Sequence, residues 1–248
     1  MHQEIILKLV EEARVYMPRL GAIKLYHLLQ EPMASHGIKM GRDKFYDLLN
    51  YYGLLIRKRR RRKPITTDSD HPFMKYQNLI KELPVNRTDM VWVSDITYLR
   101  LTHGFCYLSL VTDVYSRKIV GYFLNKDLTS QGPVNALKMA LSVSKRNKET
   151  MLIHHSDRGL QYCCAEYINL LTEHNVAVSM TQNGDPYENA IAERLNGILK
   201  DEFYLGNTFK SIQDAQQVLD QAITSYNQLR PHFSLNLLTP SMVYSEKN

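Results

Sequence analysis

The sequence predicts an α/β protein, with a mixed sheet flanked by helices, that follows a small all-α front module. Residues 1–56 show only the apolar spacing of amphipathic helices. From residue 90 onward, short β-branched and aromatic runs alternate with helical runs, in the order βββαβαβαα. A sheet that begins as a meander and continues with intervening helices is covered by helices on its faces.

The front module contains three predicted helices, over residues 3–17, 22–30 and 42–51. The third ends near Gly53, a residue type suited to a left-handed cap. Three short helices with a basic surface favour a helix-turn-helix-like DNA-binding domain. The roughly eleven residues before the third helix exceed a strict helix-turn-helix turn. A small helical bundle without a nucleic-acid role is the alternative.

The charge of the chain is unevenly distributed. Residues 1–64 hold fourteen lysines and arginines against six acids, whereas the remainder holds seventeen against nineteen. Seven consecutive cations end the basic part, and a packed interior cannot contain them. They favour an arm that contacts phosphates, with a nuclear address as the other interpretation. The predicted DNA-contacting residues of the third helix and this arm are Arg42, Lys44, Asn50, Arg57, Lys58, Arg59, Arg60, Arg61, Arg62 and Lys63.

The chain therefore divides into three predicted parts. Residues 1–56 form the helix-turn-helix-like domain, residues 57–84 the basic arm and linker, and residues 85–248 the α/β domain with its C-terminal helix. The predicted strands of the last part cover residues 90–99, 105–112, 118–124, 151–154 and 177–180. Its predicted helices cover residues 133–144 and 165–174, a segment from residue 189, and residues 212–226.

Three carboxylates stand out by their positions in this order of elements. Asp95 lies within the first strand, Asp157 follows the fourth strand, and Glu193 lies on the helix after the fifth. Sites of open α/β sheets gather at strand ends and adjoining helices. Converging acids repel one another unless a divalent cation neutralises them, and an oxygen-only ligand set favours Mg²⁺ or Mn²⁺. Two such ions would clamp an in-line phosphoryl displacement.

Other residues near these acids have simpler interpretations. Asp113 is a rival carboxylate, but the residues after it indicate an Asp that opens a turn. His154 and His155 are interpreted as shaping the site, because no complementary zinc ligands accompany them. The helix carrying Glu193 presents Asn196 and Lys200 at the same helical spacing, which in isolation is typical of a solvated face.

The composition also excludes several classes of protein. No run of about 18 apolar residues appears, so no membrane span is predicted. The first residues lack the pattern of a secretory signal. Three cysteines form no CxxC pair, which argues for a reducing cytoplasm and against a structural zinc site. The expected location is the cytoplasm.

Several motifs together resemble the second-reading-frame transposases of the bacterial insertion-sequence-three family, in the retroviral-integrase-like superfamily. The matching stretches are Trp92–Tyr98, Asp113–Gly121, His155–Tyr162, Asn189–Arg194, Leu199–Glu202 and Tyr226–His232. The front module resembles the helix-turn-helix segment of that family, so the resemblance covers nearly the whole chain. The segment Asp185–Glu188 departs most from the family pattern, in a loop expected at the mouth of the site.

The resemblance implies an RNase H-like integrase core with Asp95, Asp157 and Glu193 as catalytic metal ligands for two divalent ions, Mg²⁺ or Mn²⁺. It implies cleavage at insertion-sequence ends and strand transfer into target DNA, with Lys200 and Asn196 near DNA phosphate. The implied partners are double-stranded DNA carrying terminal inverted repeats, further copies of this chain, and a first-reading-frame protein or a fusion with it. A silent DNA-binding regulator and a non-recombining nuclease of the same fold are the alternatives.

Overall fold

Strand β1, Val91–Leu101, lies at the middle of the sheet in the computed structural model, which describes residues 2–57, 74–144, 146–147, 149–182 and 189–246. The other described strands are β2 (Phe105–Asp113), β3 (Ile119–Asn125), β4 (Leu152–Ser156), β5 (Val176–Met180) and β6 (Thr208–Phe209). The sheet order is β3-β2-β1-β4-β5, with β6 beside the end of β1. The first three strands are antiparallel, whereas β4 runs parallel to both β1 and β5. The predicted mixed sheet is confirmed.

Helices cover both faces of this sheet and form the front module. They are α1 (His2–Tyr16), α2 (Ala22–Ser35), α3 (Arg42–Tyr51), α4 (Gln131–Val143), α5 (Leu160–Cys163), α6 (Ala165–Glu173), α7 (Ala190–Glu202), α8 (Ile212–Gln228) and α9 (Pro240–Ser245). None of the helices in the described ranges has the length and apolar content that a membrane crossing requires.

The alternation of side chains along β1 assigns the helices to the two faces. Trp92 packs into the core that contains α4, α5 and α6. Val91 and Val93 pack with Ala192 of α7, and Leu99 packs into the core that contains α7 and α8. Because successive side chains of a strand point to opposite faces, the odd-numbered residues of β1 face α7. Asp95 is one of them.

The front helices pack against the α/β domain instead of standing apart from it. Ile6, Leu25 and Phe45 belong to the same buried apolar cluster as Leu195 of α7 and Leu219 of α8. A continuous core joins α1, α2 and α3 to the helices on one face of the sheet. The boundaries of the three predicted parts of the chain stay predictions.

Helix α2 is longer than its sequence pattern indicated. The predicted end of this helix at residue 30 is wrong, because α2 continues through Pro32 to Ser35. Met33 lies one turn after Leu29 and is buried, so core packing compensates for the backbone hydrogen bond that proline cannot make. The connection to α3 therefore shortens to residues 36–41, in which Gly37 has a φ of +69°.

Several short elements were not predicted. They are α5, β6, α9 and a 3-10 helix at Phe233–Leu235. Each is too short to show a helical or strand period, and each forms through its surroundings. Helix α9 begins with Thr239, whose side chain caps the backbone N–H of Met242, and Pro240 follows at its first position.

Two buried aspartates join the ends of the α/β domain. Asp89 accepts hydrogen bonds from Trp92 Nε1 (2.9 Å), Ser144 Oγ (2.7 Å) and the Tyr244 hydroxyl (2.9 Å). Its backbone N–H donates to Asp113 Oδ2 at 2.8 Å. Asp113 Oδ1 accepts the backbone N–H and the hydroxyl of Ser116, as the predicted turn required. Asp113 is therefore a structural residue.

We expect Asp89→Ala to lower the free energy of unfolding by about 3 kcal/mol, because it leaves buried hydrogen-bond donors without an acceptor. Urea unfolding followed by circular dichroism measures this change. Asp127 is exposed and lies 3.9 Å from Lys126, so Asp127→Ala is the control and should change the stability by less than about 0.5 kcal/mol. Equal stabilities of the two variants would contradict the structural role of Asp89.

Candidate active site

The pairing of β1 with β4 brings two of the predicted carboxylates together. Val93 lies opposite His155 in the parallel register, and Asp95 and Asp157 each follow two residues later. Parallel strands run side by side in the same direction, so equal steps from a matched pair reach neighbouring positions. Both carboxylates are half-buried at the carboxyl end of β4.

Hydrogen bonds hold Asp95 from two directions. Its Oδ1 accepts the backbone N–H of Ile96 at 2.9 Å, and its Oδ2 accepts Nδ2 of Asn196 from α7 at 2.6 Å. Asn189, just before α7, donates its side-chain amide to the backbone oxygen of Ser94 at 3.1 Å. Two side-chain amides therefore fasten the start and the middle of α7 to β1.

The loop after β4 shapes the second carboxylate. Asp157 Oδ1 accepts the backbone N–H of Gly159 at 3.0 Å. A Cβ atom added to Gly159 would lie 3.0 Å from the same oxygen and 3.2 Å from Oε1 of Gln161. A larger residue after Arg158 would therefore have to displace the Asp157 or Gln161 side chain by a few tenths of an ångström, whereas glycine leaves both in place.

The third predicted carboxylate, Glu193, lies in the first turn of α7 and is exposed. Burial, the charge of Asp157 and, to a smaller extent, the charge of Glu193 raise the pKa of Asp95 to about 7. These acids are thus near enough to repel. Within the described residues, however, no three His, Cys, Asp or Glu side chains are grouped closely enough to hold one metal ion. Asp95 and Asp157 form the assembled part of the site, and Glu193 stands at its rim.

The row of polar residues on α7 is not one solvated face. Asn189 and Asn196 are buried at 9% and 8% exposure, whereas Glu193 is open to solvent. The position of Asn196 does not favour the predicted DNA contact, because its amide is turned inward onto Asp95. Lys200 is half-buried, and its ammonium lies 4.4 Å from the centre of the Tyr98 ring, a cation–π contact.

The predicted DNA-binding residues of the front module lie on an exposed surface. Arg42, Lys44 and Asn50 of α3 are exposed, and Phe45 with its apolar neighbours faces the core. Two acids, Asp43 and Asp47, share this exposed face. Asp43 Oδ1 lies 2.9 Å from Arg42 Nε. Arg57 is exposed too, and its carbonyl accepts a hydrogen bond from Arg19. The predicted contacts at Lys58, Arg59, Arg60, Arg61, Arg62 and Lys63, and the loop at residues 183–188, lie outside the described residues.

The two histidines of β4 are buried and support the strand, as their interpretation required. The Ser94 and Tyr167 hydroxyls lie 2.7 and 2.8 Å from His154 Nε2. His155 Nδ1 lies 2.8 Å from Ser179 Oγ of β5. These contacts tie β4 to its neighbours directly before Asp157.

The sequence indicates the three acids as candidate ligands but not the residues that hold them. It places Asn189 and Ser94 only in motifs, and it places Asn196 in a helical row and near DNA phosphate. A polar residue that faces the same side as an apolar stripe is a usable signal: Asn196 lies one helical turn from Ala192 and from Leu199, which are buried. That neighbourhood indicates an amide that needs a partner in the interior.

Models of a known domain family match most of the α/β part of the chain. One model described as Integrase core domain matches residues 85–186, and a second with the same description matches residues 174–240. Together they span the strands that carry Asp95 and Asp157 and the helix that carries Glu193.

Two relatives are each one-third identical to this chain over the aligned residues. The Insertion element IS600 uncharacterized 31 kDa protein of Shigella sonnei is 33% identical over 215 residues, which cover 86% of this chain and 78% of the relative. Transposase InsF for insertion sequence IS3A of Escherichia coli strain K12 is 33% identical over 202 residues, which cover 81% of this chain and 69% of that protein.

Solved structures share the fold. The HTLV-2 integrase catalytic core domain in complex with magnesium, in its trimeric form, aligns with a TM-score of 0.51 at 18% identity, over 64% of this chain and 97% of that one. A simian T-cell lymphotropic virus intasome in complex with PP2A regulatory subunit B56 gamma aligns with a TM-score of 0.54 at 19% identity, over 91% of this chain and 74% of the matched chain. The predicted RNase H-like integrase core is confirmed.

We expect His154 to remain neutral in the folded protein at pH 5. Burial and, secondarily, the adjacent His155 lower the pKa of His154 to about 3. A histidine of the unfolded chain titrates near 6.5, so the stability from the neutral imidazole is present above pH 6.5 and is lost as the pH falls towards 3.

Lowering the pH from 7.5 to 5.5 should therefore cost the wild type about 1.4 kcal/mol more unfolding free energy than His154→Gln. Urea unfolding at the two pH values measures this difference, and other titrating groups cancel between the two proteins. An identical pH dependence, or an imidazole NMR signal of His154 that titrates near pH 6.5, would contradict the buried, neutral state.

Proposed function

The chain belongs to the insertion-sequence-three family of transposases, which carry an integrase core domain, and from that premise we propose that Asp95, Asp157 and Glu193 are its catalytic carboxylates. It is a DDE transposase that acts in DNA integration, by metal-dependent cleavage and strand transfer. One phosphodiester is exchanged for another in such a transfer, so the reaction needs no ATP.

The observation that carries the assignment is the position of Asp95 in β1 and of Asp157 directly after β4, each two residues beyond the paired Val93 and His155, with Glu193 on α7. Burial and the charge of Asp157 raise the pKa of Asp95, and a positive ion bound between the two carboxylates would offset their repulsion. Divalent metal use accords with this set of oxygen ligands. We propose two Mg²⁺ ions, with Mn²⁺ as a substitute, held by Asp95, Asp157 and Glu193.

When bound, these ions lower the pKa of an attacking water or hydroxyl group and neutralise charge on the phosphoryl oxygens. The chain's own residues supply the positions. Ile96 and Asn196 orient the two oxygens of Asp95, and Gly159 orients one oxygen of Asp157. Glu193, in the first turn of α7, completes the proposed set.

The proposed substrate is double-stranded DNA: the inverted repeats at the element ends, and a target duplex. Residues 1–56 act as the DNA-binding domain, residues 57–84 as a basic arm and linker, and residues 85–248 as the catalytic domain. Lys200 lies on the same helix as Glu193, beside the Tyr98 ring, and is proposed to contact a phosphate. Joining two ends requires more than one copy of the chain, and a first-reading-frame protein or fusion is a further partner. The proposed location of DNA cleavage and strand transfer is the cytoplasm, at the nucleoid.

We expect Glu193→Gln to abolish both cleavage and joining of labelled element ends in Mg²⁺. The loss should exceed the roughly 10–100-fold cost of disturbing an outer-shell partner, because a metal ligand itself is removed. Glu173→Gln, an exposed substitution at the end of α6, is the control and should retain wild-type activity. Retained joining by Glu193→Gln would contradict the assignment, and hydrolysis without joined products in the wild type would indicate a nuclease.

The proposed DNA contact of α3 is tested by removing one positive and one negative charge from its exposed face. Lys44→Ala should weaken binding to an element end and reduce the slope of log K against log salt by about one, since one phosphate contact is lost. Asp47→Asn, which removes a negative charge from the same exposed face, should strengthen binding. Fluorescence anisotropy across a salt series measures both. Stronger binding by Lys44→Ala together with weaker binding by Asp47→Asn would exclude α3 from the DNA interface. Unchanged binding in both variants would exclude it as well.

A further inference from the structure

Glu202, the last residue of α7, is held from two sides. Its carboxylate accepts two hydrogen bonds from Arg230, Nε to Oε2 at 2.7 Å and Nη2 to Oε1 at 2.6 Å. Its backbone oxygen accepts the backbone N–H of Arg19, from the turn between α1 and α2, at 3.2 Å. The end of the helix that carries Glu193 is thus the meeting point of the C-terminal segment and the front module.

Arg230 is almost fully buried, at 1% exposure, and its guanidinium is partnered in several directions. Nη1 lies 3.0 Å from Nε2 of His232. Burial and, next, the charge of Arg230 lower the pKa of His232 to about 3, so this imidazole is neutral and accepts the hydrogen bond. The Tyr226 ring lies 5.9 Å from the guanidinium carbon. The planar, two-pronged contact of Arg230 with Glu202 fixes the relative orientation of the two side chains as well as their distance.

We propose that Arg230 is a positioning residue for strand transfer. Its two hydrogen bonds to Glu202 fix the axial position and the rotation of α7, and thereby the position of Glu193. The proposal rests on the proposed catalytic role of Glu193. From Glu202 to Glu193 the helix rises about 13 Å, and its backbone hydrogen bonds carry a shift at one end to the other.

The two ends of α7 are fastened in different ways. Near Glu193, Asn189 donates one hydrogen bond to the Ser94 carbonyl and Asn196 donates one to the Asp95 carboxylate. At the far end, Arg230 and Glu202 form a two-pronged pair in which both partners are charged, and this is the stronger contact. The Glu202 end therefore sets the register in which α7 presents Glu193 to Asp95.

The front module reaches α7 through the same residue. The Arg19 hydrogen bond adds to the apolar cluster in which Leu25 and Phe45 pack with Leu195 and Leu199 of α7. Lys24 of α2 also extends to this corner, where its ammonium lies 5.2 Å from the Phe233 ring centre. A front module engaged with DNA is therefore mechanically connected to the helix of the third catalytic carboxylate.

The first experiment measures hydrogen–deuterium exchange in the full chain. Arg230→Lys keeps the positive charge but removes the two-pronged geometry, and Glu202→Gln keeps the shape but removes the charge. Both should speed exchange across α7 by about tenfold or more, while β1, β2 and β3 stay protected. Tyr244→Phe, which removes a buried hydrogen bond at Asp89, is the matched control and should leave α7 unchanged. Unaltered exchange in α7, or an equal rise throughout the sheet, would overturn the proposal.

The second experiment separates positioning from plain stability. Arg230→Lys should raise the Mg²⁺ concentration that half-saturates strand transfer by roughly tenfold, as the loss of an outer-shell support does. Tyr244→Phe should leave that concentration unchanged even where its melting temperature falls. An activity of Arg230→Lys that merely follows its folded fraction would overturn the proposal. A wild type inactive with every metal would contradict the proposed function instead, and the exchange result would still decide the role of Arg230.

Discussion

The parallel pairing of β1 with β4 is the constraint on which the rest of the structure depends. It sets Asp95 beside Asp157, and it requires a sheet whose order changes from antiparallel to parallel at β1. Helices must then cover both faces, because the consecutive apolar residues Val91, Trp92 and Val93 of the central strand point alternately to the two faces. His154 of β4 supports this pairing through its contact with Ser94 of β1, and the Asp89 network holds the start of β1 against the end of β2 and α9.

Repulsion between the two aspartates is the cost of that arrangement. Asp95 is half-buried next to another carboxylate, and its pKa is raised to about 7 as a result. A cation bound between two such carboxylates would offset their repulsion. Asn196 and the Ile96 N–H oppose the repulsion by binding the charged form of Asp95, which is the form that the proposed metal ion requires.

Much of this could be predicted from the sequence, for physical reasons. The meander, α3 and α8 have strong periods, and Asp95 within a β-branched strand marks a site because a charge there is costly. Helix α2 was shortened in the prediction because Pro32 is a helix breaker, whereas the burial of Met33 decides otherwise. Asn196 contacts a residue 101 positions away in the sequence, and Arg230 contacts one 28 positions away. Local sequence patterns cannot indicate contacts between residues so far apart.

The central claim is that Asp95 and Asp157 jointly hold a divalent ion. Anomalous diffraction from crystals soaked in Mn²⁺ tests it most directly, because the peak locates the ion without reference to activity. We predict a peak in contact with both carboxylates in the wild type and its loss in Asp95→Asn. A peak bound elsewhere on the chain, or one that persists at the same place in Asp95→Asn, would contradict the claim.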